Sequence, residues 1–260
     1  MYPPSTPAEL QEFLLNFAQT CTSPVWFSRG MAEPPANVND NGSCGFVAGG
    51  PRRFIVTAWH VLEGFRAAKQ RDPATVFAVN IGDGNTVTLP EPEVIAESRD
   101  LDLATIAFPH LEQQRGRTTK QYFPLDVCPI LRTQLGDAVS IVGFSGQGRQ
   151  GFETFGKFEP FPITLVATSV SDRRVVISEG ESPVRYGHHG RKVEEGIELG
   201  GFSGSPAIGI NRDAQLFLVG VVSDGSARLG CGGFPGYVNL GSAEYLLPDG
   251  TLDRGRMPWL

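Results

Sequence analysis

The sequence predicts an all-β protein in two halves, on three observations. Glycine (32) and proline (20) make up one in five of 260 residues, against an average usage of about 12 %, which favours short strands joined by tight turns. Short apolar runs recur at even intervals with turn signals between them. Between residues 70 and 240 there is almost no helical periodicity. The length suffices for each half to bury a core of its own. The polar stretch Leu111 to Lys120 sets the expected boundaries: a helical extension over 1–25, a first half over 26–118 and a second over 119–260.

Taken in order, Pro7 to Ala18 is the best helix in the chain. Thr6 is its N-cap, Pro7 stands at the first helical position and Glu9 completes a capping box. Leu10, Phe13, Leu14 and Phe17 form one apolar stripe, which predicts a helix packed on the body. A loop from Glu33 to Gly42 leads into a hairpin with arms Cys44–Ala48 and Phe54–Thr57. Strands follow at Val76–Asn80, Thr86–Leu89, Val94–Glu97 and Leu103–Phe108, with Gly82-Asp83-Gly84-Asn85 as a turn. A second series reads Val139–Gly143, Ile163–Thr168, Arg174–Ser178, Ala207–Ile210, Leu216–Ser223 and Tyr237–Asn239, closed by a short helix over Ser242–Leu247.

Composition excludes several functions. Net charge is −6 with no basic block, so neither nucleic acid nor an anionic membrane is an expected partner. No apolar run approaches the ~20 residues of a membrane span. The N-terminus lacks the basic region and apolar run of a secretory signal, which predicts a cytoplasmic protein unless a leader has been removed. Cys21, Cys44, Cys128 and Cys231 are scattered, form no C-x-x-C pair and read as reduced thiols. His188 and His189 are adjacent and point to opposite faces of an extended chain, so they cannot chelate one ion. Neither a metal nor any other cofactor is expected.

The chemistry centres on Glu198-Leu199-Gly200-Gly201-Phe202-Ser203-Gly204-Ser205-Pro206. Small residues on both sides leave the Ser203 hydroxyl open, and glycine permits backbone conformations that a Cβ forbids. Serine needs a neighbouring base, and the base needs an orienting group. His60, closing the apolar strand Phe54–Leu62, and Asp102, opening the strand from Leu103, supply candidates. Either alone reads as an ordinary structural residue; Asp100 rivals Asp102 but lies farther outside the apolar run. A second serine, Ser145 after the strand ending at Phe144, with Asp172 and His188 following, matches the chain order of α/β hydrolases. Gln147 in place of glycine and the lack of alternating helices argue against it.

Together these segments resemble the trypsin-like, chymotrypsin-fold serine proteases. The T-A-x-H, D-hydrophobic-A and G-x-S-G-x-P motifs of that family stand here as Thr57-Ala58-Trp59-His60, Asp102-Leu103-Ala104 and Gly201-Phe202-Ser203-Gly204-Ser205-Pro206. Leu218–Gly225 resembles the strand lining the substrate cleft, and Gly136–Phe144 the opening strand of the second barrel. The resemblance covers roughly residues 40 to 245 and is nearest to stand-alone bacterial members. It implies two six-stranded antiparallel β-barrels and a serine endopeptidase acting on peptide or protein substrates through an acyl-enzyme. In it Ser203 attacks, His60 moves the proton, Asp102 orients His60, and the N–H groups of Gly201 and Ser203 form the oxyanion hole. Ser223, Asp224 and Gly225 would pair with substrate. Ile197 falls at the floor of the specificity pocket, Gly225 and Gly236 at its walls, which implies an apolar residue before the cut; Glu198 and Asp224 keep a basic preference open. Phe202 stands where cleavage-activated members carry an aspartate, so activation of that kind is not implied. Cys44 and Cys231 lack their family partners, Val61 and Leu199 standing there instead, which implies free thiols. Two rivals remain: a catalytically silent protease fold used as a binding module, and a serine esterase.

Overall fold

The computed structural model describes residues 7–29, 41–82, 84–114, 116–144, 149–151, 156–158, 160–178, 197–226, 228–229 and 236–259. Helix α1 (Pro7–Cys21) leads into β1 (Thr22–Arg29), then the hairpin β2 (Asn41–Gly49) and β3 (Arg52–Thr57). Helix α2 (Trp59–Arg71) follows, then β4 (Thr75–Gly82), β5 (Asn85–Leu89), β6 (Val94–Ser98), β7 (Leu103–Ala107), the short α3 (His110–Gln113) and β8 (Phe123–Pro124). These eight strands make one sheet in the order β5-β4-β1-β2-β3-β7-β6, with β8 added parallel to β2.

The second half comprises β9 (Ala138–Gly143), a hairpin of β10 (Arg149–Gly151) and β11 (Gly156–Phe158), β12 (Phe161–Val170) and β13 (Arg174–Ser178). It continues through β14 (Ile197–Glu198), β15 (Pro206–Ile210), β16 (Leu216–Gly225), β17 (Arg228–Leu229) and β18 (Tyr237–Ser242). Strands β12-β13-β18-β16-β15-β9 close into a six-stranded antiparallel barrel, and β14 pairs with β17. The all-β architecture in two halves is therefore observed. The six-stranded closed barrel is the second half; the first is an eight-stranded sheet whose described path is open.

Three local expectations are corrected. The apolar run Phe54–Leu62 is not one strand: β3 ends at Thr57, and His60 lies in the first turn of α2. The period changes there, because Val61, Leu62, Phe65 and Ala68 share a buried helical face. No helix covers Ser242–Leu247; β18 runs to Ser242, and the short C-terminal helix is a 3-10 turn at Arg254–Arg256. Strand β1, absent from the sequence reading, runs between β2 and β4 despite Pro24. The β4 ladder begins only at Val25, so the missing N–H at Pro24 breaks no bond to β4.

Two hydrophobic clusters form the core. One fills the second barrel around Val139, Ile141, Phe202, Phe217 and Leu240. The other lies under the first sheet and takes in second-half residues such as Ile208, Leu218 and Val221. The C-terminal segment returns to this cluster through Tyr245, Leu246 and Met257, and Thr105 Oγ1 donates to the Gly250 carbonyl at 2.7 Å. Helix α1 packs on β9, β12 and β15 as well as β1, its Phe17 ring 5.8 Å from Phe123, so it sits against the body as its stripe predicts. Thr6, the expected cap, lies outside the described residues.

Cys21, Cys44 and Cys128 are buried free thiols; Cys231 lies outside the described residues. Burial raises the Cys21 thiol to about 12. Lys120 is half-buried beside Cys44 and Cys21 and donates to the carbonyls of Gln19 (2.9 Å) and Thr22 (2.6 Å). Desolvation lowers its ammonium to about 8.

Candidate active site

The first turn of an α-helix leaves backbone N–H groups without intrahelical partners. In α2 the capping residue is Ala58, which offers no side-chain bond. Asp102 supplies one from 42 residues away: its Oδ1 accepts the His60 N–H at 3.0 Å, placing a carboxylate where the helix dipole favours negative charge. Its Oδ2 accepts from His60 Nδ1 at 2.8 Å and from the Ser223 hydroxyl at 2.6 Å. One carboxylate thus anchors the helix start, orients the imidazole and ties both to β16 of the second barrel.

Asp102 adopts a left-handed backbone conformation with φ +49°, tolerated by aspartate better than by most residues. It is one of two non-glycine residues with positive φ among those described, and strain of this kind concentrates at functional sites. Burial raises the Asp102 carboxyl, but hydrogen bonds from the His60 ring, Ser223 and the His60 backbone outweigh it and hold the group below the ordinary aspartate range. Asp100, the rival acid, is exposed in the turn before β7.

Ser203 sits on the turn entering β15. Its carbonyl accepts the Ser43 N–H at 2.7 Å, and the N–H of Gly204 donates to Val222 at 2.8 Å. Gly201 and Gly204 both have φ +92°. A Cβ on Gly204 would lie 2.0 Å from the Ser43 carbonyl oxygen, and one on Gly201 2.3 Å from that of Phe144. Only glycine lets the serine turn lie this close to Ser43 of the first half and to the end of β9. Ser43 Oγ donates to the Gly201 carbonyl at 2.7 Å, holding that peptide from behind. Among the described residues the N–H groups of Gly201 and Ser203 have no hydrogen-bond partner, whereas that of Phe202 donates to Leu199.

His60, Asp102, Ser203, Ser223 and Asp224 line one crevice of about 500 Å³, with Trp59, Arg99 and Arg174. The Ser203 hydroxyl donates to the Ser223 carbonyl at 3.3 Å, and among the described residues it has no bond to His60. Beyond Val222, β16 leaves β15, while Asp224 and Gly225 still pair with Asn239 and Val238 of β18. Ser223–Gly225 therefore offers one open edge beside Ser203.

The other expected substrate residues are only partly gathered. A Cβ on Gly225 would meet Leu199 Cδ1 at 2.8 Å and the Tyr237 carbonyl at 2.6 Å. Gly236 precedes β18 and is buried. Ile197 and Glu198 form β14, opposite Leu229 and Arg228. Asp224 is engaged at both oxygens, by Asn239 and by Arg174. Of the hydrolase-type rival, Ser145 and His188 lie outside the described residues, as does His189, and Asp172 is exposed and pairs with Arg132 at 2.9 Å. Among the described residues no group of three or more His, Cys, Asp or Glu side chains could hold a metal ion, and no helix is long and apolar enough to cross a membrane.

Sequence reasoning missed two contributors. Ser223 was expected to pair with substrate through its backbone; its hydroxyl is also a partner of the acid. Arg174, at the start of β13, donates Nη1–H to Ser223 Oγ at 3.0 Å. The hydroxyl accepts from the guanidinium, so its single proton goes to Asp102. No local pattern around Arg174 signals this.

The fold is chymotrypsin-like, with an imidazole–carboxylate pair from one half and a serine turn from the other facing the same crevice. A family model described as trypsin-like peptidase domain matches residues 42–221. The chain belongs to that family and is by class a serine-protease hydrolase. No curated protein matches it in sequence. Among solved structures it is similar to Deg5 at 14 % identity, covering 85 % of this chain and 88 % of that one, with a TM-score of 0.47. The serine protease domain of the Sesbania mosaic virus polyprotein matches at 13 % identity over 86 % and 89 %, TM-score 0.43. The HtrA-type protease AlgW with tripeptide matches at 12 % over 88 % and 59 %, TM-score 0.45.

Proposed function

We propose that this chain is a serine endopeptidase in which Ser203 is the nucleophile, His60 the general base and Asp102 the orienting acid. The observation that carries the reading is the 2.8 Å bond from His60 Nδ1 to a buried Asp102 in the crevice that Ser203 also lines. The bond fixes the tautomer with the proton on Nδ1, leaving Nε2 free to take the serine proton. Ser203 attacks the scissile carbonyl, and the uncommitted N–H groups of Gly201 and Ser203 receive the oxyanion, each worth about 3–4 kcal/mol in comparable sites. His60 then protonates the leaving amine, and water repeats the cycle on the acyl-enzyme. The open edge at Ser223–Gly225 accepts the substrate as an added antiparallel strand.

The residue before the cut is apolar in this reading. Asp224, the carboxylate on that strand, is paired with Arg174 and hydrogen-bonded by Asn239, and Leu199 faces Gly225. A peptide library dominated by Arg or Lys at that position would overturn this part.

The silent-fold reading has one observation in its favour, the Ser203 hydroxyl turned to the Ser223 carbonyl. A fluorophosphonate probe decides between them. Covalent labelling lost in Ser203→Ala supports the peptidase, and a folded protein that resists labelling supports the binding module. Cleavage of esters without cleavage of peptides would support the esterase.

A further inference from the structure

Next to the crevice lies a second cavity of about 630 Å³ whose lining includes Arg99, Asp100, Asp172, Arg173, Arg174 and Trp259. The two adjoin, with Arg99 and Arg174 lining both. We propose that this cavity is a subsite for an acidic side chain, Asp or Glu, two to four residues ahead of the bond to be cut. The inference rests on the peptidase reading above and assigns that site a second specificity element.

Three of the residues carry guanidinium groups, and their commitments differ. Arg174 is taken by Ser223 and Asp224. Arg99 lies over the Trp59 ring at 5.4 Å and Arg173 over the Trp259 ring at 4.5 Å. Neither has a carboxylate partner among the described residues. Seated on indole faces, both planes are held in place while their N–H edges stay open to a ligand. Of the two acids in the cavity, Asp172 is engaged by Arg132 at 2.9 Å, while Asp100 has no ion pair among the described residues. Two open guanidiniums against one such carboxylate give a local positive excess on a chain whose net charge is −6.

The cavity adjoins the substrate edge, since Arg174 lines it and bonds both Ser223 and Asp224. A peptide paired with the open edge at Ser223–Gly225 extends away from Ser203 at about 3.3 Å per residue. A side chain two to four residues from the cut then lies roughly 7–13 Å along it. A carboxylate there meets a guanidinium fork, a charge-assisted pairing stronger than a neutral hydrogen bond.

The test uses pairs of fluorogenic peptides identical except for Glu or Gln at the second, third or fourth residue ahead of the cut. In wild type we expect the Glu/Gln ratio of kcat/KM to reach about threefold to fivefold at one of these positions, as for an ion pair open to solvent. It should shrink as NaCl screens the interaction and fall towards one in the folded double variant Arg99→Ala/Arg173→Ala. Arg173→Glu should invert the preference towards a Lys peptide, which a loss of folding cannot mimic. A ratio near one at all three positions, or one unchanged in the double variant, overturns the subsite. Should no peptide be cut and no probe label Ser203, the catalytic reading fails while the subsite remains testable. Fluorescence anisotropy of the same labelled peptides on Ser203→Ala then decides: tighter Glu binding supports the subsite, and equal binding rejects it.

Discussion

The first half holds its part of the site by bonds, and the second holds its part by clearance. His60 and Asp102 are joined through the imidazole and again through the helix backbone, and the carboxylate is fixed to Ser223 as well. Ser203 has a different setting: two left-handed glycines beside it, its backbone pinned to Ser43, and a half-exposed hydroxyl with one long bond. A base has to be in one tautomer and one orientation before substrate arrives, which takes buried hydrogen bonds. A nucleophile has to be reachable, which takes small neighbours. The cost of each half failing therefore differs in kind.

Ser203→Ala breaks the comparison outright: turnover of a peptide substrate is expected to fall by about 10⁶, as for another Ser-His-Asp peptidase, with the fold intact by circular dichroism. Asp102→Asn leaves the hydroxyl accessible but offers His60 the wrong hydrogen-bond character, and a loss of about 10⁴ in kcat is expected. Retention of near-normal kcat would show that His60 does not need its acid. Ser223→Ala removes a single charge-assisted bond to Asp102 and should cost about tenfold to a hundredfold in kcat/KM, in line with roughly 1.5–3 kcal/mol.

Arg174→Ala sharpens the picture further. It removes the guanidinium that directs the Ser223 proton to Asp102, and kcat/KM should fall by about threefold, since an exposed charge acts weakly through solvent. Arg174→Lys should restore part of the rate, and an unchanged rate would reduce Arg174 to packing.

A separate effect is on stability and lies beside the first sheet, where Cys21 and Cys44 are buried and Lys120 is half-buried. Cys21 has its folded pKa raised to about 12, so the stability it confers is fully present below its unfolded value and is lost as pH rises towards 12. Lys120, lowered to about 8, runs the other way: it destabilises below about 8 and is relieved above. Urea midpoints at pH 7 and pH 10 should show Cys21→Ala losing less stability on alkalinisation than wild type, by about 2 kcal/mol. Equal losses would mean that this thiol does not titrate on unfolding.

Legibility followed how local each signal was. His60, Asp102 and Ser203 stand out as candidates because each lies in a short, distinctive stretch: apolar strand before His60, apolar strand after Asp102, glycines around Ser203. The start of α2 does not, since Val61 and Leu62 prolong the apolar run of β3 and hide the change from a two-residue to a 3.6-residue period. Strand β1 was masked by Pro24, harmless only because β4 begins pairing one residue later.

By itself the sequence determined the all-β class, the helix at the start, and the three side chains whose chemistry suits acyl transfer. Composition, period and short motifs are properties of neighbouring residues, so they survive without coordinates. Only the tertiary structure decided that Asp102 caps the helix carrying its own histidine, that Ser223 and Arg174 complete the acid's surroundings, and that Arg99 and Arg173 lie open on two tryptophans. Those partners stand 40 to 121 residues apart. Hydrogen bonds and charges act through space, so no pattern along the chain records them.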